Sequence, residues 1–79
     1  MNLVELTEYL VKNLVKNTDD VIVKMSEENE NTIDVIVNEE DIGRVIGKGG
    51  KIANSIRNVV QASAYINELG HVHVNIDTK

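Results

Sequence analysis

The stretch Ile42-Gly43-Arg44-Val45-Ile46-Gly47-Lys48-Gly49-Gly50-Lys51-Ile52-Ala53-Asn54-Ser55-Ile56 decides how this 79-residue chain is read. Gly47, Gly49 and Gly50 are three glycines in four residues, and that much backbone entropy does not suit a helix interior. The pattern therefore divides into a short helix over 41–46, a glycine turn, and a longer helix that restarts near Lys51 and ends before Gly70. On the second helix Ile52, Ile56, Val59, Val60 and Ser63 share one face, while Asn54, Arg57, Asn58 and Gln61 point away. A glycine turn that feeds a helix leaves backbone N–H groups free where the macrodipole is positive. With no side chains in the way, a phosphate can come close to them. Lys48 projects from the turn and Lys51 opens the helix.

Upstream, Asn38-Glu39-Glu40-Asp41 offers side chains that cap the short helix. Before it lie two apolar runs with a period of two. Ile33, Val35 and Val37 share one face of a strand, and Val21, Val23 and Met25 share one face of another. The polar segment Glu27-Glu28-Asn29-Glu30-Asn31 between them is short enough to make an antiparallel hairpin over 20–37. Residues 2–17 read as a helix, with Leu3, Leu6, Leu10 and Leu14 at spacings of three and four. Val4, Val11 and Val15 widen its stripe, which reads first as the face of a helix that covers a sheet; the alternative is that the extra width leaves an apolar rim for a second subunit. At the other end, Val72, Val74 and Ile76 alternate with His71, His73, Asn75 and Asp77, giving a last strand over 71–77. The order helix, strand, strand, helix, helix, strand predicts an α+β fold of two layers, with three helices on one face of a three-stranded mixed sheet.

Composition narrows the function. Thirteen acids against eight bases give a net charge of −5, which argues against broad coating of a polyanion. The charge is unevenly placed. From Ile42 to Asn67 the chain carries Arg44, Lys48, Lys51 and Arg57 and no acid, so that stretch is +4. The remainder is −9, its thirteen acids opposed by Lys12, Lys16, Lys24 and Lys79. A short phosphate clamp inside an acidic protein needs this distribution. With two Tyr and no Phe or Trp, an aromatic base-stacking platform is not expected. There is no Cys, hence no disulfide or thiolate metal site. The longest apolar runs in the strands are three residues, against about 20 for a membrane span. A soluble cytoplasmic protein is expected.

Two familiar phosphate-binding motifs fail on spacing. A Walker A loop needs four residues between its glycines and Ser or Thr after the lysine; Gly43 and Gly47 enclose three, and Gly49 follows Lys48. The dinucleotide fingerprint fails because Ile52 stands where its last glycine belongs. In contrast, Val45-Ile46-Gly47-Lys48-Gly49-Gly50-Lys51-Ile52-Ala53-Asn54-Ser55-Ile56 resembles the V-I-G-x-x-G-x-x-I-x-x-I core of KH domains. The element order resembles the type II arrangement over nearly the whole chain. Its length and the run Glu40 to Lys48 are most similar to the small bacterial KhpA family.

That resemblance implies a non-catalytic single-stranded RNA-binding protein, a post-transcriptional regulator or RNA chaperone. KH domains clamp about four nucleotides of backbone with their G-x-x-G loop. Gly47, Lys48, Gly49, Gly50 and Lys51 would hold the sugar-phosphate, with Arg44 and Arg57 adding charge. Ile46, Ile52 and Ile56 would form an apolar floor under the bases, and Val72 to Ile76 would border the groove. Gly49 departs from the basic or larger polar residue that many members carry, which leaves Lys48 as the one charged clamp residue. Single-stranded DNA is a second ligand of the same chemistry. The family implies a homodimer, or a heterodimer with a larger Jag/KhpB-type KH protein. The alternative is an interaction module whose glycine loop is purely structural. No nucleophile–base–acid set, cofactor or metal site is evident. His71 and His73 lie two apart on the outer face of the strand without an evident third ligand, and Tyr9 and Tyr65 read as packing or rim residues.

Overall fold

The computed structural model describes residues 2–78; Met1 and Lys79, the ends of the domain expected over 1–79, lie outside the described residues. Helix α1 spans Leu3–Lys12. Asn2 starts it with a reciprocal capping box: its Oδ1 accepts from the Glu5 N–H at 2.8 Å, and Glu5 Oε1 accepts from the Asn2 N–H at 3.3 Å. Strands β1 (Ile22–Met25) and β2 (Thr32–Val37) form the expected antiparallel hairpin, with Val23 opposite Val35 and Met25 opposite Ile33. Helix α2 covers Ile42–Ile46 and α3 covers Lys51–Ile66. Strand β3 (His73–Thr78) runs parallel to β2 on its other side, placing Val74 beside Ile33 and Ile76 beside Val35. The result is the expected α+β architecture: a mixed sheet in the order β1-β2-β3, with α1 and α3 packed on it and α2 packed on α3.

Central β2 supplies the middle of the core. Ile33, Val35 and Val37 are fully buried, and Val11, Val45, Val60 and Ala64 meet them from the helices. Strict alternation with one buried face fixes the strand's register, since a slip of one residue would expose all three.

Several boundaries and faces differ from expectation. Helix α1 ends at Lys12 rather than 17, because the N–H groups of Lys16 and Asn17 donate to the Asp41 carboxylate at 3.1 and 2.9 Å. A longer helix would have used those donors internally. The buried centre of α1 is Thr7 and Val11, with the leucines half-buried around them; the Thr7 hydroxyl is satisfied by the Leu3 carbonyl at 2.7 Å. Met25 and Val59 are exposed, the first at the end of β1 and the second beyond the width of sheet that α3 covers. Ala53 and Ala64 take the buried places on α3 instead. Gln61, expected to point away, is half-buried and holds the segment before β3. Asp41 does not cap α2. The capping side chain is Asn38, which accepts from the Glu40 N–H at 2.8 Å and opens the 3₁₀ turn Glu39–Asp41. Among the described residues, no helix is long and apolar enough to cross a membrane.

Candidate nucleic-acid interface

The glycine loop owes its shape to two different backbone requirements. Gly47 has φ +75° and ψ 174°, a combination open in practice only to glycine. An added Cβ there would also lie 2.6 Å from Ile52 Cγ1 and 2.9 Å from its Cβ and Cδ1. Loop and α3 are thus in direct contact through one glycine. Gly49 and Gly50 adopt left-handed conformations, but a Cβ on either would meet open space. Their left-handed backbone, not crowding, is what calls for glycine, and among the described residues no atom lies within 4 Å of where either Cβ would stand.

The N–H of Gly47 donates to the Gly43 carbonyl, that of Gly50 to Gly47, and that of Lys51 to Lys48. This leaves the N–H groups of Lys48 and Gly49, at the tip, without a protein partner among the described residues. Lys48 and Lys51 are exposed, and neither forms an ion pair with a described acid; the pairs present are Lys12–Glu8 and Arg44–Asp41. Two free N–H donors and two unpaired ammonium groups therefore lie within four consecutive residues at the start of α3.

Arg44 is differently placed. Its Nη1 donates to Asp41 Oδ1 at 2.8 Å, so part of its charge is matched within the protein, although its side chain is 55% exposed. Asp41 itself is fully buried. Removal from water pushes its carboxyl up, but the Lys16 and Asn17 N–H groups, the Asn17 side-chain amide and Arg44 outweigh that and lower it to about 2. The ionised carboxylate ties the segment that follows α1 to the residue that precedes α2. The sequence pattern suggests Asp41 as a helix cap; its actual role depends on Lys16 and Asn17, about 25 residues away, a pairing no local pattern reveals.

The other expected residues fall on two sides of α3. Ile52 and the largely buried Ile56 line a groove of about 280 Å³ with Leu10 of α1 and Leu14 just beyond it, where Val59 is 47% exposed. Ile46 is half-buried at the end of α2, beside the loop. Arg57 lies on the opposite side, its Nε donating to the Val74 carbonyl of β3 at 3.2 Å and its Nη1 to Asn54 Oδ1 at 3.2 Å. The structure therefore gathers Gly47, Lys48, Gly49, Gly50, Lys51 and Ile52, keeps Arg44 to one flank, and sends Ile56 and Arg57 to different neighbours. Two residues beside Arg57 that the alternation assigns to the wet outer face, His71 and His73, share a cleft with α3.

A mixed three-stranded sheet backed by three helices, with a helix–GxxG–helix turn between the hairpin and the last strand, is the architecture of a KH domain, a non-catalytic kind of module. The sequence model for the family described as KhpA/KhpB, KH domain matches residues 4–76. The chain belongs to that family. It is 37% identical to the RNA-binding protein KhpA of Thermotoga maritima, covering 73% of this chain and 79% of that one. The Clostridium perfringens protein of the same name is 44% identical, with 76% and 81% covered. That of Borreliella burgdorferi is 39% identical, with 80% and 78% covered. Among solved structures, Era bound to MgGDPNP and nucleotides 1506-1542 of 16S ribosomal RNA matches 98% of this chain with a TM-score of 0.60 at 17% identity. Aquifex aeolicus Era bound to GDP.AlF4- matches with a TM-score of 0.62 at 16% identity. This chain spans 30% of the length of either, and the likeness is one of fold.

Proposed function

We propose that this protein binds single-stranded RNA without catalysis, holding the sugar-phosphate on the Gly47–Gly50 loop. One observation carries the reading. The Lys48 and Gly49 N–H groups have no protein partner among the described residues, and the unpaired Lys48 and Lys51 stand beside them. In a chain of net charge −5, such a concentration of free donors suits one or two phosphates and little more. The strand would leave the loop along the β3 side of α3, past Arg57, with Ile46 near the loop; Ile52 and Ile56, which line the groove facing α1, lie on the other side of the helix. Arg44, held by Asp41, would contribute from the flank. The RNA-binding name of the KhpA relatives supports the same ligand. Within a cytoplasm, such a protein would act as a post-transcriptional regulator or RNA chaperone.

The test is titration of fluorescein-labelled single-stranded RNA with the protein and with the variant Lys48→Asp/Gly49→Asp. A Cβ at Gly49 meets nothing and Lys48 is exposed, so the variant keeps the fold. The Gly49 change costs about 1 kcal/mol for a side chain in the left-handed region. Binding should be lost while thermal unfolding shifts by a few degrees. Unaltered binding would remove the clamp, and a parallel titration with DNA of the same sequence reads the sugar preference.

A second reading concerns self-association. One exposed stripe of α3, formed by Ser55, Val59, Ala62 and Ile66, carries no charge of its own, and Ile66 is 81% exposed. Together with the Leu10–Leu14 groove, it is a surface on which two acidic chains can meet without like-charge repulsion. A second copy, or the KH domain of a larger Jag/KhpB-type protein, is the proposed occupant. Mass measured across concentration for the protein and for Val59→Lys decides it: the variant should be monomeric where the parent is not.

A further inference from the structure

An apolar hollow of about 340 Å³ is lined by Leu3 and Val4 of α1, Met25 at the end of β1, and Leu69 and Val72 ahead of β3. It takes no part in the clamp. The glycine loop stands at the start of α3 and Leu69 lies just past its end, so sixteen residues of helix, about 24 Å, separate the two.

The way Leu69 reaches this hollow is unusual. Helix α3 closes in a Schellman turn, in which the Leu69 N–H donates to the Ala64 carbonyl at 2.8 Å and the Glu68 N–H to the Tyr65 carbonyl at 3.1 Å. Glu68 takes the left-handed place of that turn, with φ +58°, where glycine or asparagine is usual. The turn leaves Leu69 52% exposed on the wall of the hollow, and Met25 is 48% exposed. Asn31, the other left-handed non-glycine among the described residues, lines the same hollow. Strained backbone of this kind gathers at ligand-binding surfaces.

The rim is acidic. Glu5, Glu30 and Glu68 each adjoin a lining residue in sequence, all three are exposed, and none forms an ion pair among the described residues. The one lysine or arginine that adjoins a lining residue, Lys24, instead lines a polar hollow with Asp34 and Asn75.

We propose that the apolar hollow docks a basic segment of another protein, which seats one or two large apolar side chains between Leu3, Met25 and Leu69 and sets Lys or Arg against the acidic rim. Charge complementarity selects this occupant. Three unmatched carboxylates repel the phosphates of RNA, and they oppose a second copy of a chain whose net charge is −5. The volume sits near the lower end of the range of about 300–1,000 Å³ for ligand pockets, which suits anchoring side chains. The docked segment and an RNA on the glycine loop sit at opposite ends of α3 and do not compete. The proposal stands whether or not the loop holds RNA.

The experiment follows the anisotropy of three fluorescein-labelled peptides of equal length. One has leucine and lysine in helical periodicity, one replaces its leucines by serine, and one replaces its lysines by glutamate. The protein should bind the leucine–lysine peptide about tenfold or more tightly than either of the others, since both anchors and charge are needed. Glu30→Lys/Glu68→Lys should weaken that binding by about fivefold or more, and Glu30→Gln/Glu68→Gln by less, with thermal unfolding close to the parent's because both residues are exposed. Leu69→Ser should weaken it by about fivefold or more without changing its salt dependence. Amide shifts should move at Leu3, Val4, Leu69 and Val72. Lys48→Asp/Gly49→Asp should not weaken the peptide, which separates this site from the clamp. Absence of binding, affinity that survives both the lysine pair and Leu69→Ser, or shifts centred on Ser55 to Ile66 overturns the proposal. Shifts at Leu3, Leu69 and Val72 on dilution of the protein alone would give the hollow to a second copy and overturn it equally.

Discussion

Gly47→Ala is the substitution for which the structure gives the most explicit magnitude. The backbone conformation at Gly47 costs an L-residue about 1–3 kcal/mol. Its new Cβ would stand within 2.6–2.9 Å of three Ile52 atoms, and Ile52 is packed against the core. Overpacking of that kind adds about 1–3 kcal/mol. The total of about 2–6 kcal/mol compares with about 4–12 kcal/mol of total stability for a chain of this length. At about 4–8 °C per kcal/mol, the midpoint of thermal unfolding followed by circular dichroism should fall by at least about 8 °C. A second substitution isolates the contact. Ile52→Ala removes Cγ1 and Cδ1 but leaves the Cβ at 2.9 Å, so Gly47→Ala should cost less in that background than alone, by about 1 kcal/mol or more. Gly49→Ala, strained in φ but with open space around its Cβ, should cost about 1 kcal/mol. A Gly47→Ala midpoint that stays at the parent's value, or strict additivity with Ile52→Ala, would refute the account of how the loop is held.

Further expectations concern the same region. The Asp41 carboxyl is lowered from 3.8 to about 2, so its ionised form favours the folded state above pH 3.8. That contribution should be intact from neutral pH down to about 4 and lost as pH falls through about 2. Asp41→Asn should lower stability at pH 7 and flatten the decline below about pH 4, as read by urea unfolding at a series of pH values. Gly43 lies in α2, where an added Cβ would meet open space, so Gly43→Ala should raise stability by about 0.5–1 kcal/mol in the same assay. Gln61→Ala removes both bonds to the segment before β3 and leaves the partly buried Val72 N–H unpaired. It should cost about 1–3 kcal/mol and speed amide exchange at Val72.

Legibility in the sequence follows how local each determinant is. Strand β2 is readable because Ile33, Val35 and Val37 alternate with more polar or half-covered neighbours and only one register buries all three. The two helices around the loop are readable because glycine density is itself a break, and the loop's resemblance to a KH core points to the family. The end of α1 is not, because it is set by a carboxylate far along the chain that captures the Lys16 and Asn17 N–H groups. The periodic stripe of α3 is one position too wide at Val59, since periodicity shows which residues share a face but not how far the sheet beneath extends. The same limit applies to Ile56 and Arg57: adjacent in sequence, they face α1 and β3 respectively. Alternation sets His71 and His73 on the opposite face from Val72 and Val74, as observed. Both nevertheless line an open cleft with Arg57, Asn58 and Gln61 at the edge of the sheet.

The clamp can be observed at its own atoms. Amide chemical shifts of the nitrogen-15-labelled protein, followed while a short single-stranded RNA is added, report each N–H separately. The Lys48 and Gly49 amides should move most, with smaller changes at Lys51 and Arg57 and none at Ser26 to Glu30 on the distant hairpin turn. Unmoved Lys48 and Gly49 amides at saturating RNA, or largest shifts along Leu10, Leu14 and Val59, would contradict a backbone clamp on the glycine loop.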